Sequence, residues 1–196
     1  MPKIEFPPSE ALYPVPVVLV SCIDKSAKKT NIITLAWCGV VCSKPPMLGL
    51  SIRPSRFSHR LISETKDFVI NIPSIKILNE TDLCGVITGK DTDKFKACSF
   101  TQQASSKVSS PMIAECPVNI ECVLKSIIKL GTHDLFLGEV VSVHADDNIL
   151  KPSGAIDYDL AQPFVYTQGE YRELGKKMGL YGFSKKIDSY KVDRKT

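Results

Sequence analysis

Residues 31–62 read "NIITLAWCGVVCSKPPMLGLSIRPSRFSHRLI", and this stretch carries the pattern that decides the fold. The apolar, β-branched run 32–42 predicts a strand, a Pro-Pro pair breaks it, and 47–52 predicts a second strand. Ser58 then precedes apolar residues at helical spacing, which predicts a short helix with Ser58 as its N-cap. The stretch therefore reads as two strands followed by a short helix.

Similar strand patterns flank this stretch on both sides. A second helical segment is predicted over 74–89, and the polar segment 90–111 is a long loop of a kind that is usually functional or disordered. No two strands are separated by a regular helix of crossover length, which favours antiparallel pairing. We therefore expect a mainly β protein with short helices, built as a small closed or nearly closed barrel. Its other predicted strands are 15–23, 67–73, 118–131, 133–146 and 163–168.

Composition places the chain among ordinary globular proteins. It has 196 residues, 43% hydrophobic and 23% charged, which suits one domain over 1–196 and excludes a disordered or fibrous chain. The net charge is +4, and acidic residues interrupt the basic ones that crowd the C-terminus, so nucleic acid is not an expected partner. No leader-like segment and no apolar run of membrane-spanning length occurs, so we expect a cytoplasmic protein without a membrane partner.

Seven cysteines occur at irregular spacings, without the pairing typical of a metal site. We expect most of them to be small buried apolar residues in a reducing compartment. Cys38 and Cys42 form an alternative redox pair. In one continuous strand they would face the same side but lie roughly 13 Å apart, which is too far for a disulfide.

Charged and hydroxyl side chains cluster between Ser51 and Arg60. Hydroxyls, guanidinium groups and the free N–H groups of a helix N-terminus are the groups that bind a dianionic phosphate. A solvated basic turn is the alternative interpretation of this cluster. Trp37 has two interpretations as well, a core residue or a platform for a stacked ring. No glycine-rich nucleotide-binding motif is found.

In combination, the segments "NIITLAW", "LSIRPSRFSHRLI", "DFVINIPS" and "GTHDLFLGEV" resemble those of flavin reductase-like proteins that bind FMN, flavoredoxins above all. The Pro-Pro pair and Lys94 occur at the corresponding places. The resemblance spans about 12–170 and leaves 171–196 as a C-terminal tail. It implies an FMN-binding split β-barrel with Greek-key-like antiparallel strands, assembled as a homodimer.

The resemblance also implies a cofactor-binding set. Asn31 and Trp37 would line the flavin, and the backbone of Thr34, Leu35 and Ala36 would lie near its ring. The hydroxyl of Ser58, where many relatives have Thr, would bind the phosphate together with Arg53, in a segment that also offers Ser51; Arg56 is a second candidate cation. The pocket would be completed by Lys94, for which Lys90 and Lys96 are rivals, and by His133 and Tyr166, each of which has a purely structural alternative.

Two functions follow from this resemblance. The first is an NAD(P)H-dependent FMN reductase, in which NADH or NADPH donates a hydride to bound FMN. The second is a flavin electron carrier that exchanges electrons with a redox partner protein and has no small substrate. In both, FMN performs the redox chemistry and the protein binds and orients it, so no catalytic nucleophile and no metal is expected.

Overall fold

The computed structural model describes residues 1–24, 26 and 29–186 and is mainly β. Its helices are α1 (Phe57–Thr65), α2 (Leu78–Val86), α3 (Lys94–Ala97) and α4 (Tyr158–Ala161), with 3-10 turns at Ile75–Ile77, Asp147–Ile149 and Phe183–Lys186. Its strands are β1 (Val15–Pro16), β2 (Val18–Asp24), β3 (Lys29–Leu35), β4 (Cys38–Ser43), β5 (Pro46–Ile52), β6 (Asp67–Ile72), β7 (Gln102–Gln103), β8 (Met112–Ile113), β9 (Val118–Lys129), β10 (Asp134–Ala145), β11 (Phe164–Thr167) and β12 (Glu170–Glu173).

An antiparallel sheet of seven strands, in the order β3-β2-β6-β9-β10-β5-β4, forms the body of the protein. Its two edge strands, β3 and β4, are consecutive in the chain and joined only by Ala36 and Trp37. This short connection brings the two edges together, so the sheet must curl into an open, split barrel. The prediction of a mainly β split barrel with antiparallel strands is confirmed.

The prediction of a single strand over 32–42 is wrong, because this segment forms two strands, β3 and β4. The chain bends at Trp37, and β4 contains a bulge between Val40 and Cys42. Cys38 and Cys42 both lie on β4 as free thiols, so the structure gives no bond between them. The apolar run continues through the bend, which is why the pattern did not show it.

The barrel interior holds the main hydrophobic core. Side chains from β2, β5, β6 and β10 meet there, and α1 closes one side with Leu61 and Ile62, both fully buried. The predicted helix is confirmed, but its N-cap is Arg56 and not Ser58. Ser58 lies within the first turn, and its hydroxyl accepts a hydrogen bond from a side chain of β3 instead of capping the helix.

The segment predicted as a long loop over 90–111 contains α3 and β7, and its last part is held by two buried carboxylates. Glu121 accepts hydrogen bonds from the backbone N–H groups of Ser106, Lys107 and Val108. Asp67 accepts hydrogen bonds from the backbone N–H groups of Ser109 and Ser110. His144 also contacts Glu121, and its Nε2 lies 2.6 Å from Glu121 Oε1.

The C-terminal region differs from the predicted tail. β12 pairs with β11 and so extends the small β1-β11-β12 sheet beyond residue 170. Of the basic residues that crowd the C-terminus, those at 191, 194 and 195 lie outside the described residues. Within the described part of the chain, no helix has both the length and the apolar character needed to cross a bilayer.

Candidate functional site

An open cleft of about 390 Å³ lies between β3, the start of α1 and the connection from α2 to α3. We call it the cationic cleft, because three cations and no carboxylate line it. Hydroxyls, an amide, glycines and apolar side chains complete its wall. The lining residues are Asn31, Ile33, Arg53, Ser55, Arg56, Phe57, Ser58, Gly85, Ile87, Thr88, Gly89 and Lys94.

Asn31 and Ser58 form the floor of the cationic cleft. Both are almost fully buried, and the Asn31 side-chain N–H donates to Ser58 Oγ at 2.8 Å. Gly89 lies against the same amide, since a Cβ added at Gly89 would be 1.8 Å from Asn31 Oδ1. The glycine therefore permits a close approach of backbone to side chain that no other residue allows.

Lys94 is the buried cation of the cleft. It is 4% exposed, and its Nζ donates to the carbonyl oxygen of Cys84 at 2.6 Å. Burial lowers the pKa of Lys94, and the positive charge of Arg56 adds to this effect. Lys90 and Lys96, the two alternatives, are exposed and do not line the cleft.

Arg53 connects the cationic cleft to an aromatic pair at its edge. Its Nε donates to His133 Nε2 at 3.3 Å, and the His133 ring lies 4.6 Å from the ring of Trp37. Burial and the Arg53 charge lower the pKa of His133. Trp37 is 36% exposed, so its interpretation as a core residue is wrong.

A second cleft of about 320 Å³ adjoins the first, and Gly85 lines both. We call it the aromatic cleft, because Tyr166 and Tyr171 line it with ring centroids 5.9 Å apart. The Tyr171 hydroxyl donates to Asp82 Oδ1 at 2.8 Å, and burial raises the pKa of Tyr171. Thr34 and Ala36 form the β3 side of this cleft.

The structure brings most of the predicted residues together, but not all. Asn31, Arg53, Ser58 and Lys94 line the cationic cleft, and Thr34, Ala36 and Tyr166 line the aromatic cleft. Trp37 and His133 lie beside Arg53 and line neither cleft. The Leu35 side chain points into the barrel core, and Ser51 is half-buried and donates its backbone N–H to the Trp37 carbonyl.

His59, on α1, lies outside the cationic cleft. Its Nε2 lies 2.8 Å from Asp134 Oδ2, its side chain is 17% exposed and its ring packs edge-on against Phe136. These contacts tie α1 to β10 and keep His59 out of the cationic cleft.

Residues that the sequence did not single out complete the two clefts. Thr88 and Gly89 follow α2, and the sequence pattern predicts only a helix end at Gly89. Tyr171 and Asp82 come from segments 89 residues apart, so no local pattern could have paired them.

The donor set fits a ligand with an anionic end and a planar ring. Arginine and a serine hydroxyl beside the start of a helix suit a phosphate, and tyrosines suit an aromatic ring. An isoalloxazine carrying a terminal phosphate has these two parts. The residues present therefore fit a flavin mononucleotide.

Comparison with known proteins also indicates a flavin-related protein. A model of the flavin reductase like domain matches residues 10–175. An uncharacterized protein of Archaeoglobus fulgidus is 36% identical over 138 residues, which are 70% of this chain and 76% of that protein. Two solved flavoredoxins share the fold. That of Desulfovibrio vulgaris (TM-score 0.88, 30% identity) is matched over 94% of this chain and 100% of its own. That of Methanosarcina acetivorans (TM-score 0.87, 28% identity) is matched over 95% and 98%. The chain therefore belongs to the flavin reductase-like family.

Proposed function

We propose that this protein is an FMN-binding flavoprotein that carries out redox chemistry through the bound flavin. The single observation that carries the proposal is the meeting of the two clefts at Gly85, one cationic and one aromatic. FMN has one charged end and one planar end.

The phosphate is assigned to the part of the cationic cleft around α1. Arg53, Arg56 and Ser58 lie there, and the first turn of α1 carries free backbone N–H groups. No carboxylate lines this cleft to oppose an anion. Charge-assisted hydrogen bonds of this kind make FMN bind more tightly than riboflavin, which lacks the phosphate.

FMN, when bound, supplies the capacity to accept and release electrons, and the chain supplies binding and electrostatics. Lys94 places a buried positive charge in the wall of the cationic cleft, where it stabilises negative charge on a bound ligand. Burial and the Arg53 charge lower the pKa of His133, which favours its neutral form. Asn31 holds the Ser58 hydroxyl in position.

We propose an NAD(P)H-dependent flavin reductase as the first form of this function. Both clefts are open to solvent, so a nicotinamide could reach a ring bound there. A flavin electron carrier with a protein partner is the second candidate. It is favoured by the similarity to the two flavoredoxins at 30% and 28% identity.

Two measurements test these proposals. The purified protein should be yellow, and mass spectrometry of the released cofactor should give FMN. A colourless protein that takes up no FMN in titration would exclude the flavoprotein proposal. For a reductase, stopped-flow mixing with NADH or NADPH should bleach the absorbance of the bound flavin. If neither nucleotide reduces the flavin but a protein electron donor does, the result would exclude the reductase and support the electron carrier.

We also propose that the protein is a homodimer. Strand β4 is an edge of the large sheet, and its Val40 and Val41 are 79% and 53% exposed. Trp37 continues this apolar surface toward the clefts. A second copy would cover it and approach the flavin site. Sedimentation at micromolar concentration should give twice the mass of 21.6 kDa; a monomer with flavin bound would contradict the proposal.

A cytoplasmic location completes the proposal. All seven cysteines are free thiols in the structure, five of them buried. Free thiols in this number are typical of a reducing compartment. Fractionation of cells that express the chain would test the location.

A further inference from the structure

Two cysteines 14 residues apart meet beside the cationic cleft. Cys84 lies near the end of α2, and Cys98 directly follows α3. Their Sγ atoms are 3.5 Å apart, and both thiols are reduced. The sequence pattern predicts a loop where α3 lies, so it does not indicate that these two cysteines meet.

The distance between the two sulfurs leaves only a small movement to form a bond. A disulfide has an S–S length of about 2.05 Å, so the sulfurs need to approach by roughly 1.5 Å. α3 has four residues, so a short element carries Cys98. A modest shift of α3 toward α2 would bring the two sulfurs together.

Access differs between the two thiols. Cys84 is 0% exposed and Cys98 is 7% exposed. A small oxidant therefore reaches Cys98 first, and Cys84 is left as the thiol that resolves the oxidised form. Cys98 can therefore be the thiol that is oxidised first, and Cys84 the thiol that then forms the disulfide with it.

We propose that Cys84 and Cys98 are an oxidisable pair that closes to an intrachain disulfide when the protein meets a hydroperoxide. This inference goes beyond the flavin function and does not depend on it. The disulfide ties the end of α2 to α3. Both elements contribute to the wall of the cationic cleft, through Gly85 and Lys94.

The reaction balances with hydrogen peroxide as the oxidant. The Cys98 thiolate attacks one peroxide oxygen and the O–O bond breaks. Cys98 becomes a sulfenic acid, and the departing hydroxide takes up the thiol proton as water. The Cys84 thiolate then attacks the Cys98 sulfur, the S–O bond breaks, and a second water leaves with the Cys84 proton. Two electrons pass from the sulfurs to the peroxide, which becomes two waters.

The environment keeps the pair slow to react at neutral pH. Burial raises the pKa of both thiols, and the Glu80 charge adds to this, whereas the Lys94 cation opposes it. Cys116 lies in the same apolar cluster. Because the thiolate is the reacting form, the rate of closure should rise with pH through the alkaline range. The dithiol then persists until an oxidant is present.

Peptide mapping of the wild-type protein tests the proposal directly. The protein is exposed to hydrogen peroxide at pH 7 and pH 9, quenched with catalase, and unfolded in excess N-ethylmaleimide. We expect a peptide pair linked through Cys84 and Cys98, five alkylated thiols instead of the seven of the reduced chain, and faster closure at pH 9. Treatment with dithiothreitol before alkylation should restore all seven alkylated thiols.

Variants assign the bond. Peroxide should no longer remove two alkylatable thiols from Cys84→Ala or from Cys98→Ala. It should still remove two from the control variants Cys42→Ala, on β4, and Cys116→Ala, in the apolar cluster that holds Cys84 and Cys98. Peroxide treatment of the wild-type protein that yields no peptide linked through Cys84 and Cys98 would overturn the proposal. So would a link from Cys84 to Cys116 in its place. Neither outcome requires that any variant folds.

Discussion

The side-chain amide of Asn31 donates a hydrogen bond to Ser58 Oγ at 2.8 Å and so joins β3 to the first turn of α1. Both side chains are almost fully buried at the floor of the cationic cleft. One hydrogen bond therefore links the strand that lines both clefts to the helix that faces the proposed phosphate.

Ser58→Ala removes the acceptor of the Asn31 amide. A buried donor left without a partner costs about 1–3 kcal/mol, so the free energy of unfolding should fall by about this amount. FMN affinity should fall about tenfold with the loss of the hydroxyl. Ser58→Thr keeps the hydroxyl and should retain both properties. Denaturation and fluorescence titration measure the two effects, and wild-type FMN affinity in Ser58→Ala would contradict the assignment.

Gly89→Ala should disrupt the cationic cleft. The new Cβ would lie 1.8 Å from Asn31 Oδ1, so the amide or the loop must move. We expect FMN binding to weaken by more than tenfold, together with a lower melting temperature. Gly175→Ala is the control, because a Cβ there meets nothing within 4 Å and Gly175 lines neither cleft. Equal FMN affinities for the two variants would show that this close contact is unimportant.

Arg53→Ala removes a charge-assisted contact with the proposed phosphate. Such a contact contributes about 1.5–3 kcal/mol, which is roughly one to two decades in FMN affinity. Riboflavin affinity should barely change. Arg60→Ala is the matched control, because Arg60 pairs with Glu64 and Asp24 and does not line the cleft. If FMN and riboflavin weaken equally, Arg53 supports the fold instead of the phosphate.

The emission of Trp37 should report the titration of His133. Trp37 is the single tryptophan, and its ring lies 4.6 Å from that of His133. A protonated imidazole quenches indole, so emission should drop on acidification. Because burial and Arg53 lower the pKa of His133, the midpoint should lie below 6.5. His133→Asn should abolish the transition. A midpoint above 6.5, or an unchanged transition in His133→Asn, would rule out this reading.

Glu121 should make the protein sensitive to strong acid. Burial alone would raise its pKa, but hydrogen bonds from the Ser106 and Lys107 backbone and from His144 lower it to about 2, against 4.5 for an ordinary Glu. A pKa that is lower in the folded state stabilises the fold above the unfolded value. This contribution, about 3 kcal/mol, should be lost as the pH falls from about 4.5 to 2.

Glu121→Gln tests this pH dependence. The variant should be less stable at pH 7, and its free energy of unfolding should change less between pH 4.5 and 2. Glu139→Gln is a suitable control, since Glu139 lies on the neighbouring strand in a partly exposed pair with Lys125. Identical acid profiles for wild type and Glu121→Gln would mean that another carboxylate controls acid unfolding.

Much of the fold could be predicted from the sequence, because strand and helix patterns are local. The alternation of apolar residues located β9 and β10, and the spacing in 58–66 located α1. The resemblance named Asn31, Ser58 and Lys94, and the structure brings these three into one cleft. Whether they bind FMN stays a prediction.

Local patterns could not give what depends on distant parts of the chain. The run through Trp37 is apolar on both sides of the bend, so only the pairing of β3 with β2 and of β4 with β5 shows that it is two strands at opposite edges. The helix begins at Phe57, so Arg56 occupies the N-cap position of α1 and Ser58 lies inside the first turn, where its hydroxyl accepts a hydrogen bond from Asn31.

The sequence by itself determined most strands of the large sheet, the antiparallel class and the residue types of a phosphate site, since each depends on neighbours within a few positions. Only the tertiary structure decided that Gly89 touches Asn31, that Tyr171 bonds Asp82 and that Cys84 meets Cys98. These contacts form when the sheet curls and α2 and α3 pack against β3. Their partners are set by the path of the whole backbone, which the pattern of a short segment does not contain.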